Sequence, residues 1–183
     1  MIVWLNGTFG AGKTTTGAEL QPLIPGARLF DPETVGYMLA PNLADHPVGD
    51  FQDWPPWRPL VVATATELAR YTGEHLIAPQ TILDPRYLAE IFTGLRTAGT
   101  AVFHVLLDAD DDVLRRRIGA SEEARQWRLD HLAAYHEARP WLRREADLVL
   151  DTAVLTAAQA AREIACALPG PAAPGPGQAQ RGS

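Results

Sequence analysis

The chain is expected to fold as a three-layer α/β domain around a mostly parallel sheet. Three observations carry that expectation. Short apolar runs alternate with segments of helical periodicity along most of the chain. The first apolar run, Met1-Ile2-Val3-Trp4-Leu5, leads into Gly7-Thr8-Phe9-Gly10-Ala11-Gly12-Lys13-Thr14, and a helical pattern follows from Thr15. Polar residues (Asp31, Gln80-Thr81, Asp108, Asp151) fall at the ends of later apolar runs, where an open parallel sheet binds its ligands.

Residues 2–6 are apolar almost throughout, as a central strand buried on both faces requires. The next eight residues fit G-x-x-x-x-G-K-[ST] at every fixed position. Between a strand and a helix N-terminus, that pattern builds a phosphate cradle. Glycines let backbone N–H groups converge on an anion without Cβ clashes. The helix end adds unpaired donors and the positive end of its dipole. Lys13 is suited to the β- and γ-phosphates of a nucleotide and Thr14 to a Mg²⁺ ion. Gly7, Thr8, Phe9, Gly10, Ala11, Gly12 and Thr15 complete the expected cofactor site.

The first helix runs from Lys13 and fades near Pro22, with Pro25-Gly26 as a turn. Residues 27–30 form a second strand ending at Asp31-Pro32-Glu33, and Pro32 suits the first turn of a helix over 33–39. A loop over 41–50 precedes Asp50-Phe51-Gln52-Asp53-Trp54-Pro55-Pro56-Trp57-Arg58. A helix follows over about 59–72, with Leu60, Ala63, Thr64, Glu67, Leu68 and Tyr71 near a 3.6 period and Gly73 as its stop.

Residues 75–81 read as a third strand, with Pro79 at its C-terminal end because proline cannot donate to a ladder. Asp84 caps a helix with Pro85 at its first position. Leu88, Ile91, Phe92 and Leu95 make its apolar face, and Gly99 ends it. Residues 101–107 are a fourth strand. A helix from Asp110 or Asp111 carries Arg115, Arg116 and Arg117. Ser121-Glu122-Glu123 opens another, with Arg125 and Arg128, that Pro140 limits. Residues 146–150 are a fifth strand, and Thr156 to Gln159 is a capping box for a last helix to about Leu168. One domain over 1–168 is expected, then a disordered tail over 169–183 of Gly, Pro, Ala and Gln with nothing to bury.

Composition narrows the class. A net charge of −6 gives no general attraction to nucleic acid or anionic lipid. The sole cysteine, Cys166, excludes an internal disulfide and is expected as a small buried side chain. The histidines are scattered without metal-ligand spacing. The chain opens on a strand with no basic leader, and no apolar run approaches a membrane span, so a cytoplasmic protein is expected. The absence of D-x-x-G after the third strand disfavours a GTPase-like switch and leaves Asp31 as the best carboxylate for a second Mg²⁺ anchor.

These stretches resemble the tunicamycin-resistance ATP-binding protein family. The likeness rests on Trp4 to Thr14, Asp31-Pro32-Glu33, Asp50-Phe51-Gln52 with Trp57-Arg58, and Pro79-x-Thr81 followed by Pro85-x-Tyr87. More widely, the arrangement resembles the P-loop small-molecule kinases: shikimate kinase, chloramphenicol phosphotransferase and the nucleoside-monophosphate kinases. The resemblance implies strand order 2-3-1-4-5, a substrate-binding region at about 33–72 and an arginine-bearing lid at about 115–140.

It also implies roles for single residues. Asp31 faces the acceptor hydroxyl as the catalytic carboxylate, with Glu33 as the weaker alternative. Gln52, Trp54, Trp57 and Arg58 fall in the substrate-binding region, where a tryptophan would stack on a base or sugar ring and Arg58 hold an anionic group; the alternative is that the tryptophans are core and Arg58 a surface charge. Gln80 and Thr81 contact the acceptor or metal-bound water. Arg117, with Lys13, stabilises the migrating phosphoryl group.

The expected function is ATP- and Mg²⁺-dependent phosphotransfer to a hydroxyl of a nucleoside-like or antibiotic substrate, tunicamycin being the family-implied candidate. Drug sequestration without chemistry, or a housekeeping nucleotide or metabolite kinase, are the alternatives. A lipid-tailed substrate would bring peripheral membrane contact, although no basic amphipathic helix supports it.

Overall fold

A strand with no exposed side chain must lie mid-sheet with a layer on each face, and β1 (Ile2–Asn6) is such a strand, each residue 0% exposed. The computed structural model describes residues 1–119 and 125–169. The other strands are β2 (Ala27–Leu29), β3 (His75–Pro79), β4 (Val102–Asp108) and β5 (Leu148–Asp151). All pair in parallel, in the order β2-β3-β1-β4-β5, as the resemblance implied. β1 registers Ile2 against Leu76 of β3 and against Val102 of β4.

The strand's two-residue period divides the core. Val3 and Leu5 enter an apolar cluster built by α1 (Lys13–Leu20), α5 (Asp111–Gly119), α6 (Arg125–Glu145) and α7 (Ala157–Ala167). Ile2 and Trp4 enter the opposite cluster, built by α2 (Glu33–Leu39), α3 (Trp57–Thr72) and α4 (Pro85–Thr97). The caps expected from sequence are present. Asp84 accepts from the Arg86 N–H at the start of α4, and Thr156 and Gln159 form a reciprocal capping box on α7.

Four expectations need correction. α3 starts at Trp57, two residues earlier than expected, and its buried face is Trp57, Arg58, Val61 and Ala65, while Tyr71 is 89% exposed. Trp57 sets this phase because its ring is fully buried beneath the sheet. β3 stops at Pro79, so Gln80 and Thr81 follow the strand instead of ending it. Pro140 does not limit α6 but lies inside it. Tertiary contacts on both sides of that proline, buried Ala138 and Leu142, outweigh a local cost of about 3 kcal/mol. Cys166 is exposed, because α7 buries Ala160, Ala161 and Ile164 and carries Cys166 on another face. The expected helix start at Ser121-Glu122-Glu123 and the tail beyond Pro169 lie outside the described residues.

α6 is fastened to the sheet by Asp108, 2% exposed at the end of β4. Its carboxylate accepts from Tyr135 Oη at 2.6 Å, from Arg139 Nε at 3.0 Å and from Arg143. Burial alone would raise this carboxyl's pKa; the hydrogen bonds from Tyr135, Arg139 and Arg143 outweigh it, and the net shift is downward. A depressed carboxylate contributes stability that is present above its unfolded pKa, about 3.9, and lost as pH falls through the folded value. Asp108→Asn is expected to cost roughly 2–3 kcal/mol in urea unfolding, since the two arginines reach solvent, and to flatten the acid limb of stability against pH.

Candidate active site

Backbone geometry builds the phosphate cradle. Gly7 has φ +143°, and a Cβ there would stand 2.4 Å from the Leu107 carbonyl oxygen, so only glycine fits between β1 and β4. Gly12, at φ +92°, precedes α1 in the left-handed region. No side chain caps α1, which leaves its first-turn N–H groups available to an anion. These features fit nucleotide phosphates.

Lys13 Nζ donates to the carbonyl oxygens of Gly7 and Thr8, each at 3.0 Å. Burial pushes its pKa down to about 8, and the charge of Glu33 opposes the shift. It is the only lysine in the chain. Thr14 and Thr15 follow on the exposed side of α1, at the same cleft.

Two cavities meet above the sheet's C-terminal edge. The larger, about 590 Å³, is lined by residues 9–16 with Arg117, Arg128, Thr152 and Thr156. The smaller, about 200 Å³, is lined by Asp50, Gln52, Asp53, Gln80, Tyr87, Trp127 and His131 among others. Phe9, Glu33 and Thr81 line both. Thr81 Oγ1 donates to Gly7 O at 2.7 Å, and Gln52 Nε2 donates to Thr81 O at 2.9 Å. The wall between the cavities is thus bonded directly to the phosphate loop. Arg117 joins α5 to that loop and to the segment after β5: it donates to Gly10 O at 3.1 Å and to Thr152 O at 2.7 Å.

The residues proposed from sequence separate into two groups. Residues 9–15, Glu33, Gln52, Gln80, Thr81 and Arg117 line one cavity or both. Asp31 lines neither; it is exposed, and its Oδ1 accepts the Glu33 N–H at 2.9 Å, capping α2. Trp57 is core, its Nε1 donating to Pro32 O. Trp54 is half-buried and donates to His46 O. Arg58 is 9% exposed, pairs with Glu90 at 2.6 Å, donates to Gln52 O and stacks 4.2 Å from the Tyr87 ring centroid, so it braces the pocket wall from behind. Trp127 and His131 went unnoticed in sequence, where nothing links them to Phe9. In the fold the Trp127 ring lies 5.0 Å and the His131 ring 5.5 Å from Phe9.

Among the described residues no group of three or more His, Cys, Asp or Glu side chains is arranged to hold a metal. No helix among them is long and apolar enough to cross a membrane.

A family model described as an AAA domain matches residues 2–139. The tunicamycin resistance protein of Deinococcus radiodurans is 30% identical, with 90% of this chain and 93% of that one covered and a TM-score of 0.72. This chain belongs to the AAA-domain family of that model and is similar to the tunicamycin resistance protein. Two further solved structures share the fold. The APS kinase of Mycobacterium tuberculosis, in complex with AMPPNP and APS, is 19% identical, covering 91% of this chain and 95% of its own at a TM-score of 0.62. Shikimate kinase from Acinetobacter baumannii, with shikimate bound, is 18% identical, covering 89% of each chain at a TM-score of 0.60. No curated protein sequence matches.

Reductive methylation should therefore find a single lysine amine in this protein, Lys13. Peptide mass mapping across a pH series should titrate Lys13 with a midpoint of about 8, and Glu33→Gln should move that midpoint lower.

Proposed function

We propose that this protein is a kinase that transfers the γ-phosphoryl group of ATP to a hydroxyl of a small nucleoside-like or antibiotic acceptor. The observation that carries this reading is the meeting of the two cavities at Glu33 and Thr81. A nucleotide in the larger cavity directs its terminal phosphate at whatever occupies the smaller.

In the proposed reaction the acceptor hydroxyl attacks the γ-phosphorus. A new P–O bond forms, the bond to the β-phosphate oxygen breaks, ADP departs, and the hydroxyl proton passes to the Glu33 carboxylate. Glu33 takes this role over Asp31 because it lines both cavities, whereas Asp31 holds the N-terminus of α2 and so fixes the backbone of Glu33. Lys13, the loop N–H groups and Arg117 bear the phosphate charge. Thr14 would hold Mg²⁺ together with nucleotide oxygens and water, and the ion would neutralise charge on the β- and γ-phosphates. Phe9, Trp127 and His131 cover the junction and keep water from competing with the acceptor.

The 30% identical relative is a tunicamycin resistance protein, which makes tunicamycin the first acceptor to try. Mass spectrometry of the drug after incubation with ATP and Mg²⁺ is expected to find one added phosphate. Glu33→Gln should slow its appearance about a hundredfold or more with ATP affinity retained, and Asp31→Asn should cost much less. Unchanged drug that co-purifies with the protein in proportion to its amount would instead favour sequestration. Equal losses in the two variants would remove Glu33 from its assigned role.

A further inference from the structure

The smaller cavity carries an unbalanced set of polar groups. The side chains of Tyr87, Gln52, Gln80 and Thr81, which line it, already donate within the protein. Tyr87 Oη donates to Asp53 Oδ1 at 3.0 Å, Gln52 Nε2 and Gln80 Nε2 donate to Thr81 O, and Thr81 Oγ1 donates to Gly7 O. His131 Nδ1 is engaged by Trp127 O at 2.7 Å.

Acceptors remain. Gln80 is 2% exposed, and its orientation toward Thr81 O leaves Oε1 buried with no hydrogen-bond partner. Buried carbonyl oxygens are rarely left so, and this one belongs to a residue lining the cavity. Around it stand four carboxylates. Asp84 is neutralised by Arg86 at 2.7 Å. Glu33, Asp50 and Asp53 form no ion pair with an arginine or lysine among the described residues. Of the nearby cations, Arg58 pairs with Glu90, Lys13 lies in the phosphate loop with Glu33 opposing its shift, Arg128 stands over the Phe9 ring on the side of the larger cavity, and His131 acts on Asp50 through its charge.

We propose that the acceptor is an amine-bearing hydroxyl compound, of the size and polarity of an amino sugar or aminocyclitol. It brings the donors that Gln80 Oε1 lacks and the positive charge that Glu33, Asp50 and Asp53 lack. The Trp127 ring, which lines the cavity, suits an ammonium group or the C–H face of a sugar ring. An anionic acceptor meets three carboxylates that form no ion pair with an arginine or lysine among the described residues. The word acceptor rests on the phosphotransfer reading; the binding preference does not.

Calorimetry on the full chain loaded with AMPPNP tests this with D-glucosamine, D-glucose and D-glucuronate, and with tunicamycin as a second neutral compound. Glucosamine is expected to bind about tenfold or more tighter than glucose, and glucuronate not to bind. Asp50→Asn and Asp53→Asn retain their hydrogen-bond acceptors, so the fold and AMPPNP affinity should stay unchanged while the preference for the amine falls toward unity. Equal affinity for glucosamine and glucose, tighter binding of either neutral compound or of glucuronate, absence of glucosamine binding, or a preference unaltered in both variants would each overturn the proposal. Parallel samples with ATP are read by mass spectrometry. Glucosamine bound but never phosphorylated sinks the phosphotransfer reading and keeps the amine preference; product formed only on neutral compounds does the reverse.

Discussion

Both cavities depend on the side-chain amide of one buried residue, Asn6. It sits at the end of β1 with 0% exposure. Its Oδ1 accepts from Gly7 N at 2.8 Å and from Ile82 N at 3.0 Å, and its Nδ2 donates to Ile82 O at 3.1 Å. One planar group thereby ties the start of the phosphate loop to the turn after β3 that carries Gln80 and Thr81. A carboxylate in its place has no donor for the Ile82 carbonyl, and an apolar residue leaves three buried backbone groups unpaired. The spacing between the two cavities is therefore set through the main chain. Reactions that rely on alignment of two partners need this stiffness, because small displacements cost large factors in rate.

The roof of the site follows a second logic. α6 is one helix with two duties. Its later turns hold Tyr135, Arg139 and Arg143 against Asp108, and its earlier turns bring Trp127 and His131 to Phe9. The anchors lie on both sides of Pro140, which explains how the helix continues through a residue that cannot complete its hydrogen-bond ladder. Arg117 adds a further tie from α5 to the phosphate loop and the segment after β5.

Much of this was legible in the residues. The strand, glycine turn and helix at 2–20 were readable because each local preference agrees with the fold. The caps at Asp84 and Thr156 are contained within four residues of sequence. Assigning Asp31 and Glu33 was harder, since both are acidic and two positions apart at one helix start. Their difference lies in direction: Asp31 turns back onto its own helix and Glu33 turns out over the cleft. The tryptophans pose the same difficulty. Trp57 and Trp127 are alike in composition, and only the packing decides that one fills the core and the other walls the pocket. The phase of α3 was missed because Trp57, which sets it, precedes the stretch whose periodicity was read. The acceptor preference was illegible for a related reason. Asp50, Asp53 and Gln80 come from separate segments, and which donors are already spent is a property of contacts alone.

The solitary Lys13 has a consequence for kinetics. Every other strongly basic side chain in this protein is an arginine, which keeps its proton at any pH an enzyme assay reaches. Burial and hydrogen bonding move the phenols of Tyr37, Tyr87 and Tyr135 upward, away from the neutral range. Of the side chains that grip the nucleotide cleft, Lys13 alone can give up positive charge under mildly alkaline conditions. A fall in nucleotide affinity on that side of a pH profile would consequently trace to a single ammonium.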